Sequence, residues 1–311
     1  MGINMSTMVT GGSGFIGRRI IRKLLERGEE VVCFDLNPPQ INLQPFRGLM
    51  KFYRGDVSQL SHILEAINQF KVHKIIHMAA LLPPDTEERP HYSMLVNIQG
   101  TNNIFEAARW TNIQRVVYAS SIAVYGIQEN FGDRPVNEDD QPAPINMYGM
   151  TKAVNDFSAS KYRDQYGLDI RAIRICTVFG HGRVTGMTGM IGGLLMSLPA
   201  IGKPVEMEFR PEEPSPMIHV EDAAEIFVRT SLASKLNYPV YISGGHLATI
   251  QDMIDIVMEI IPDASIKTGN KPVPHVYNVD SSRMFQDLGY ELIPLQTRIA
   301  EHINDARKDS Y

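Results

Sequence analysis

The sequence predicts an α/β protein built on a doubly wound parallel sheet with a smaller C-terminal substrate lobe. Three observations indicate this fold class. Short β-rich runs alternate with helical patterns through the first half of the chain, and glycines cluster directly after the first of these runs. Beyond about Gly180 the alternation weakens and prolines become frequent. Because strand and helix alternate, we expect parallel strands with helices covering both faces of the sheet.

The predicted elements follow one another in a regular order. β-rich runs occur at residues 6–10, 30–35, 51–53, 74–78, 115–119 and 170–176, with helical patterns at 14–27, 59–70, 92–110 and 146–165. Later elements are predicted at residues 221–234, 239–243, 249–261, 281–288 and 295–308. We expect residues 1–180 to form the sheet domain, with about residues 217–245 returning to it. Residues 181–311 are expected to form mainly the second lobe.

The composition is typical of a globular protein without a nucleic-acid or membrane partner. A chain of 311 residues can bury a substantial core, and 43% of its residues are hydrophobic. The formal net charge is −5, so no basic surface for nucleic acid is indicated. No apolar run approaches the roughly 18 residues of a membrane span, and no signal peptide is indicated. We expect a soluble, unprocessed protein.

The cysteines and histidines do not predict a metal site. Cys33 and Cys176 are the only cysteines, and both lie in apolar strand-like runs, so a disulfide framework is not expected. A reducing cytoplasm is the simplest location. The nine histidines lack paired metal-ligand spacing, and we expect His77 and His219 to be structural.

Three glycines follow the first predicted strand and open the first predicted helix. They are Gly11, Gly14 and Gly17. Glycine permits a tight turn and lets the backbone approach a pyrophosphate, while the helix N-terminus presents free N–H groups. The pattern alone also fits an ordinary glycine-rich turn, so the prediction of a dinucleotide site depends on a second feature.

Asp35 supplies that feature, because it ends the second predicted strand about 20 residues beyond the glycines. A carboxylate there accepts hydrogen bonds from both hydroxyls of an adenosine ribose and repels a 2′-phosphate. The expected cofactor is therefore NAD in preference to NADP. Asp56 and Val57 follow the third predicted strand, where they either meet the adenine or form a surface turn.

Tyr148 and Lys152 lie four residues apart on a predicted helix, so their side chains share one face. A free tyrosine has a pKa of about 10, and a nearby ammonium stabilises its phenolate. We expect Lys152 to prepare Tyr148 for proton transfer and to bind the nicotinamide ribose. The pair alone is more often a surface aromatic beside a solvated lysine. The dinucleotide site in the same chain reverses that preference.

Ser120 and Ser121 follow the predicted strand at residues 115–119, at the sheet edge where the cofactor is expected. A serine hydroxyl there can bond the substrate oxygen as charge develops during hydride transfer. Serines at strand ends are more often plain turn formers. No G-x-S-x-G elbow marks either serine as a hydrolase nucleophile.

These segments resemble the extended short-chain dehydrogenase/reductases, within them the NAD-dependent epimerase/dehydratase group that includes UDP-galactose 4-epimerase. The resemblance covers nearly the whole chain. Its fingerprints are TGGSGFIG at residues 10–17, Asp35, Asp56-Val57, HMAA at 77–80, VNIQGT at 96–101, Ser121, Tyr148 and Lys152. It implies a Rossmann fold, an NAD-dependent enzyme, and Ser121 as the serine that orients the substrate.

The resemblance also implies roles for residues outside the main motifs. The cofactor-binding residues that it adds are Phe15, Ile16, Ala79, Ala80, Leu81, Asn97, Ile175 and Val178. Family members often dimerise through two helices per subunit, which match residues 92–110 and 146–165 here. A homodimer is therefore expected.

Two departures from the family pattern put a sugar-nucleotide substrate in doubt. Thr177 stands where such members typically have asparagine, and Ser215 precedes the Ile-His-Val segment where they tend to have arginine. An arginine suits diphosphate binding, and serine cannot replace its charge. Arg183 or Arg210 could compensate, and Met187 could line an apolar part of the pocket. The candidate substrate residues are Ser121, Thr177, Arg183, Met187 and Arg210.

The sequence favours an NAD-dependent dehydrogenase or reductase that acts on a secondary alcohol or its ketone, of a sugar or hydroxy-acid type. In this hypothesis Tyr148 moves the proton, Ser121 orients the oxygen and Lys152 tunes the tyrosine. One alternative is a nucleotide-sugar 4-epimerase or dehydratase that retains NAD. Another is a non-catalytic dinucleotide-sensing protein, which usually lacks the tyrosine and lysine pair.

Overall fold

The computed structural model describes residues 6–39 and 48–309. The strands are β1 Ser6–Thr10, β2 Val31–Asp35, β3 Met50–Arg54, β4 Val72–His77, β5 Arg115–Ser121, β6 Ile170–Ile175, β7 Thr177–Phe179, β8 Val205–Glu206, β9 Pro214–His219, β10 Val240–Ile242, β11 His246–Thr249 and β12 Ile266–Lys267. Seven of them form one sheet in the order β10-β6-β5-β4-β1-β2-β3, and every neighbouring pair is parallel. The predicted doubly wound parallel sheet is therefore confirmed.

Helices connect the strands and cover both faces of the sheet. They are α1 Gly17–Glu26, α2 Leu60–Phe70, α3 Asp85–Glu88, α4 Pro90–Ser93, α5 Gly100–Trp110, α6 Met147–Tyr166, α7 Gly186–Gly189, α8 Leu195–Ala200, α9 Val220–Leu232, α10 Ile250–Ile260, α11 Ser282–Leu288 and α12 Leu295–Lys308. A π-helical turn at Met94–Gln99 joins α4 to α5, and another at Met190–Leu194 joins α7 to α8. Helices α1 and α9 pack together, as do α2, α5 and α6.

Alternation of side chains along each strand produces a core on either face of the sheet. Met8 and Val9 are adjacent on β1 and fully buried, yet they belong to different hydrophobic clusters. Val31 and Val32 on β2 divide in the same way. Successive side chains of a strand point to opposite faces, so continuous apolar runs are what a sheet covered on both sides requires.

The strand order reverses beside β1, which creates the position for a ligand. From β1 the chain moves outward to β2 and β3, and then returns to place β4 on the other side of β1. In open α/β sheets, ligands bind in the crevice beyond the carboxyl ends of the strands at such a switch point. The glycine-rich loop after β1 and residues 78–81 after β4 meet there.

The later part of the chain is shared between the sheet and a second core. Helix α9 packs on the main sheet and β10 joins its edge, whereas a separate cluster includes Phe179, Met196, Met253 and Ile303. A small sheet of order β11-β9-β7 contacts both α9 and α12. The division into a dinucleotide-binding domain and a substrate lobe remains a prediction.

Candidate active site

A cavity of about 330 Å³ lies at the switch point of the sheet. Most of the residues predicted to bind cofactor line it. Its lining comprises Gly11, Gly14, Phe15, Ile16, Gly17, Phe34, Asp35, Leu36, Gly55, Asp56, Val57, Met78, Ala79, Ala80, Leu81, Leu82, Tyr92, Val96, Ala119, Tyr148, Lys152, Ile175 and Arg183. The structure thus brings the dinucleotide motif and the Tyr148–Lys152 pair to one cavity.

The glycine loop is too tightly folded for larger residues. Gly11 has a φ of +64°, and a Cβ there would lie 2.7 Å from the backbone nitrogen of Ala79. A Cβ at Gly17 would lie only 2.2 Å from the Gly11 carbonyl oxygen. Helix α1 begins at Gly17, so its free N–H groups face the loop. The loop therefore provides the close backbone approach that a pyrophosphate requires.

Asp35 lies at the carboxyl end of β2 and lines the cavity. Its Oδ2 accepts a hydrogen bond of 3.0 Å from the backbone N–H of Ser13, which ties the carboxylate to the glycine loop. Asp56 Oδ1 accepts from the Ser58 backbone N–H at 2.9 Å. Local backbone donors thus orient both carboxylates at the same end of the cavity.

Asn97 lies behind the cavity wall and does not line it. This buried side chain accepts from the Leu81 N–H at 2.7 Å and donates to the Leu81 carbonyl at 3.0 Å. The π-helical turn that carries Asn97 aims its amide at the loop after β4. Asn97 therefore holds the Ala79–Leu81 segment in position.

Tyr148 lies in the first turn of α6. The Asn146 side chain caps this helix by accepting from the Gly149 N–H at 2.8 Å, and Glu87 accepts from the Tyr148 N–H at 3.3 Å. Burial raises the pKa of the Tyr148 phenol, while a hydrogen bond with Ser121 and the positive charge of Arg183 lower it. The Ser121 hydroxyl, which accepts from the Ala123 N–H at 3.1 Å, therefore lies near the Tyr148 phenol, as a proton-transfer site requires.

Lys152 lies one turn beyond Tyr148 on α6 and is almost completely buried. Its Nζ donates to the Ala119 carbonyl at 2.7 Å and lies 5.5 Å from the centre of the Tyr148 ring. Desolvation lowers the pKa of Lys152 to about 8, although Asp156 opposes this shift. The fold therefore holds the Lys152 ammonium beside Tyr148 and makes this ammonium easier to deprotonate.

Four other predicted residues, Thr177, Val178, Met187 and Arg210, lie outside the cavity lining, and so does Ser121 at the end of β5. Thr177 accepts a hydrogen bond of 2.8 Å from the Ser215 hydroxyl, which joins β7 to β9. Arg210 forms an ion pair with Glu213, and Met187 is 36% exposed. Val178 lies on β7 beside Thr177. Of the arginines suggested for substrate binding, only Arg183 lines the cavity.

Sequence reasoning missed Leu82 and Tyr92, which line the cavity without belonging to any motif, and it gave no role to Val96 of the VNIQGT segment, which also lines it. The position of Tyr92 depends on the path from β4 to α5, and its four-residue spacing from Val96 was the available signal. Within the described ranges, no group of three His, Cys, Asp or Glu side chains could hold a metal ion. Among the same residues, no helix is both long and apolar enough to cross a membrane.

The comparison with known families agrees with this geometry. The NAD dependent epimerase/dehydratase family matches residues 7–239, and the chain belongs to that family. The resemblance stated from the sequence is therefore confirmed. The family is NAD-dependent, the glycine loop has the close approach that a pyrophosphate needs, and Asp35 lines the same cavity. The expectation of NAD as the cofactor is confirmed on this basis.

Curated relatives match part of the chain. A UDP-glucose 4-epimerase of Mycolicibacterium smegmatis is 28% identical over 72% of this chain and 72% of its own length. A putative UDP-glucose 4-epimerase of Methanocaldococcus jannaschii is 34% identical over 56% of each chain. The chain spans about half the length of the first curated relatives it matches.

Solved structures share the fold over nearly the entire chain. The UDP-glucose 4-epimerase of Thermus thermophilus, in complex with NAD, has a TM-score of 0.86 at 24% identity and covers 97% of this chain and 99% of its own. A GalE-like L-threonine dehydrogenase from Cupriavidus necator has a TM-score of 0.83 at 20% identity, with coverage of 98% and 100%. Proteins that share this fold are thus named for two different activities.

Proposed function

We propose that the protein is an NAD-dependent dehydrogenase or reductase acting on a secondary alcohol or its ketone, of a sugar or hydroxy-acid type. The observation that carries this proposal is the convergence of Ser121, Tyr148 and Lys152 beside the dinucleotide cavity. Bound NAD supplies the nicotinamide that exchanges hydride with the substrate carbon. The protein's own groups bind the substrate oxygen and move its proton.

Each of the three residues has a separate task. The Tyr148 Oη takes the proton of the alcohol, or returns it to the ketone, because it is the titratable oxygen at the catalytic end of the cavity. The Ser121 hydroxyl orients the substrate oxygen and donates to it as charge develops. The Lys152 ammonium favours the charged form of the phenol and donates to the nicotinamide ribose.

Net NADH formation tests the proposal. Purified protein with NAD would be offered polyols, sugar acids and UDP-sugars, and both NADH absorbance and sugar configuration would be measured. We expect NADH to accumulate with at least one alcohol that lacks a nucleotide. Conversion of UDP-glucose to UDP-galactose without net NADH would instead establish the epimerase.

The epimerase remains the second candidate because one observation favours it. The relative that covers 72% of the chain is named a UDP-glucose 4-epimerase. The contacts of Thr177 and Ser215 favour the dehydrogenase, since these hydroxyls bond each other at 2.8 Å and neither carries the charge suited to a diphosphate.

We also propose a homodimer formed through α5 and α6. Trp110 on α5 is 59% exposed and Phe157 on α6 is 66% exposed, and exposed aromatic side chains on neighbouring helices suit an interface. Phe157→Glu should convert the dimer to a monomer in light scattering after size exclusion. Phe285→Glu is the matched control, because Phe285 is 50% exposed on α11. A wild-type monomer would contradict the proposal.

The proposed location is the cytoplasm. Cys33 and Cys176 are both free and buried, and burial raises the pKa of each thiol to about 12. Such thiols do not form the bridges that stabilise many secreted domains. Cell fractionation with a tagged full-length protein would check the location.

A further inference from the structure

The cavity has an uneven distribution of charge. Its carboxylates are Asp35, the last residue of β2, and Asp56, just beyond β3, whereas its cations are Lys152 and Arg183. Lys152 is bonded to the carbonyl of Ala119 on β5, which is separated from β2 by three strand spacings, or about 14 Å. The end of the cavity beside Tyr148 therefore carries two positive charges, those of Lys152 and Arg183.

Arg183 is partly buried, and none of the described residues pairs a carboxylate with it. Within the described parts of the chain, its side-chain hydrogen bonds go to the Thr188 hydroxyl, from Nε at 3.2 Å and from Nη2 at 2.6 Å. Desolvation lowers the pKa of Arg183, and the nearby Tyr148 opposes the shift. Partly buried charges are ordinarily paired, so this guanidinium has the properties of an anion receptor.

The bonds to Thr188 determine which part of the guanidinium remains available. Thr188 Oγ1 takes the edge formed by Nε and Nη2, which leaves the edge formed by Nη1 and Nη2. That edge presents two parallel N–H groups, which match the two oxygens of a carboxylate. Because the Thr188 oxygen accepts from Arg183, its own proton is free for a second donation.

The backbone around Arg183 is fixed by close packing. A Cβ at Gly193 would lie 1.7 Å from the Arg183 carbonyl oxygen, and one at Gly189 would lie 2.6 Å from the Val184 carbonyl carbon. The Gly180 N–H also donates to the Gly192 carbonyl at 2.9 Å. These glycines let the helical segment after residue 185 pack directly on the loop, so Arg183 is held where it faces the cavity.

We propose that Arg183, oriented by Thr188, binds a carboxylate of the substrate while Tyr148 and Ser121 bind its hydroxyl. The inference rests on the proposed function and names the substrate class, a hydroxy acid. The other source of an anion is the cofactor's pyrophosphate, since the Arg183 guanidinium lies 6.0 Å from the Phe15 ring in the glycine loop. The experiment must therefore separate substrate binding from NAD binding.

Calorimetry on the NAD-loaded protein provides that separation. The probes are 3-hydroxybutyrate, gluconate and galacturonate, each compared with a neutral partner: methyl 3-hydroxybutyrate, sorbitol and galactose. We expect at least one acid to bind wild type at least about tenfold more tightly than its partner. Arg183→Met should remove this preference and change the Kd for NAD less than about threefold. Arg183→Lys should retain part of it, because lysine keeps the charge but loses the fork.

Two further variants make the result decisive. Arg27→Gln is the matched control, because Arg27 lies at the end of α1 and pairs with Glu225, so the preference for the acid should persist. Thr188→Val should reduce the preference for the acid without removing the charge of Arg183. This variant replaces Arg183→Met in the test if circular dichroism shows that Arg183→Met does not fold. A wild type without preference for any acid would overturn the inference, as would a preference that survives in both Arg183→Met and Thr188→Val.

Other outcomes assign the anion elsewhere. Equal losses of NAD and acid binding in Arg183→Met would place the guanidinium on the cofactor's pyrophosphate. An effect confined to UDP-glucose would place it on a diphosphate, and both results would overturn the inference. NADH formation is recorded separately. If no alcohol is oxidised but acid binding depends on Arg183, the proposed function fails and the anion site stands.

Discussion

The two ends of the cavity are built differently. At the end where we expect the adenosine, Asp35 ends β2 and Asp56 lies just beyond β3, and the backbone N–H groups of Ser13 and Ser58 donate to them. At the catalytic end, Tyr148, Lys152 and Arg183 come from α6 and from the loop after β7. The carboxylates of the first end and their backbone donors all lie within residues 13–58, whereas the second end needs α6 and the loop after β7 to pack together.

This difference indicates that one end of the cavity binds the cofactor and the other selects the substrate, which we expect mutations to separate. A local motif at a strand end can bind the same cofactor whatever the rest of the chain does, because its geometry depends on a few neighbouring residues. We expect the catalytic end to determine the substrate, since the loop after β7 supplies one of its residues, Arg183. Mutations at the two ends should therefore have separable effects on NAD affinity and on turnover.

The largest separable effect is expected for Tyr148→Phe. Loss of the phenolic hydroxyl should lower kcat at least about 100-fold, the scale of general acid–base catalysis, while the Kd for NAD stays within about threefold. Steady-state kinetics and calorimetry would measure both quantities. Tyr166→Phe, an exposed tyrosine on the same helix, is the control. Full activity of Tyr148→Phe would remove this residue from the mechanism.

Asp35→Ala should show the opposite pattern. Removing the carboxylate should weaken NAD about 10- to 100-fold, because charge-assisted hydrogen bonds to the ribose are lost, and should weaken NADP much less. At saturating NAD, kcat should be close to that of wild type. Asp263→Ala, in an exposed turn, is the control. Tighter binding of NADP than NAD by the wild type would refute the role of Asp35.

A smaller effect concerns stability at the catalytic end. Burial lowers the pKa of Lys152 from 10.5 to about 8 in the folded protein. Between about pH 8 and 10.5 the unfolded chain binds the proton that the folded chain does not, so stability rises with pH through this window. At pH 7 the buried Lys152 ammonium lowers the free energy of unfolding, so replacing it should raise that free energy.

Lys152→Met tests this sign. At pH 7 it should raise the free energy of unfolding by about 1–3 kcal/mol, reduced by the free energy of the lost hydrogen bond to Ala119. The same substitution should abolish most activity. The gain should shrink as pH rises from 8 to 10.5. Denaturant titrations at several pH values would measure it, with Lys203→Met, at an exposed position, as the control. A pH-independent loss of stability would contradict the assignment.

The same difference explains what could be predicted from the sequence. The sheet, Asp35 and the glycine loop were predicted because alternation and strand-end motifs are local. Choosing Arg183 over Arg210 needed the structure, although Glu213, three residues beyond Arg210, was a signal that Arg210 would be paired. The contact between Thr177 and Ser215 depends on strands 38 residues apart along the chain, and no local pattern predicts their register.

The most direct test of the account is a calorimetric titration of the NAD-loaded protein with UDP-glucose. We expect the catalytic end to take an alcohol without a nucleotide diphosphate, because Thr177 and Ser215 satisfy each other and Arg210 is paired with Glu213. Each unmatched charge-assisted bond to a diphosphate would forfeit about 1.5–3 kcal/mol. No binding of UDP-glucose in the micromolar range is therefore expected. Micromolar binding that Tyr148→Phe retains, together with conversion to UDP-galactose by the wild type, would contradict it and establish the epimerase.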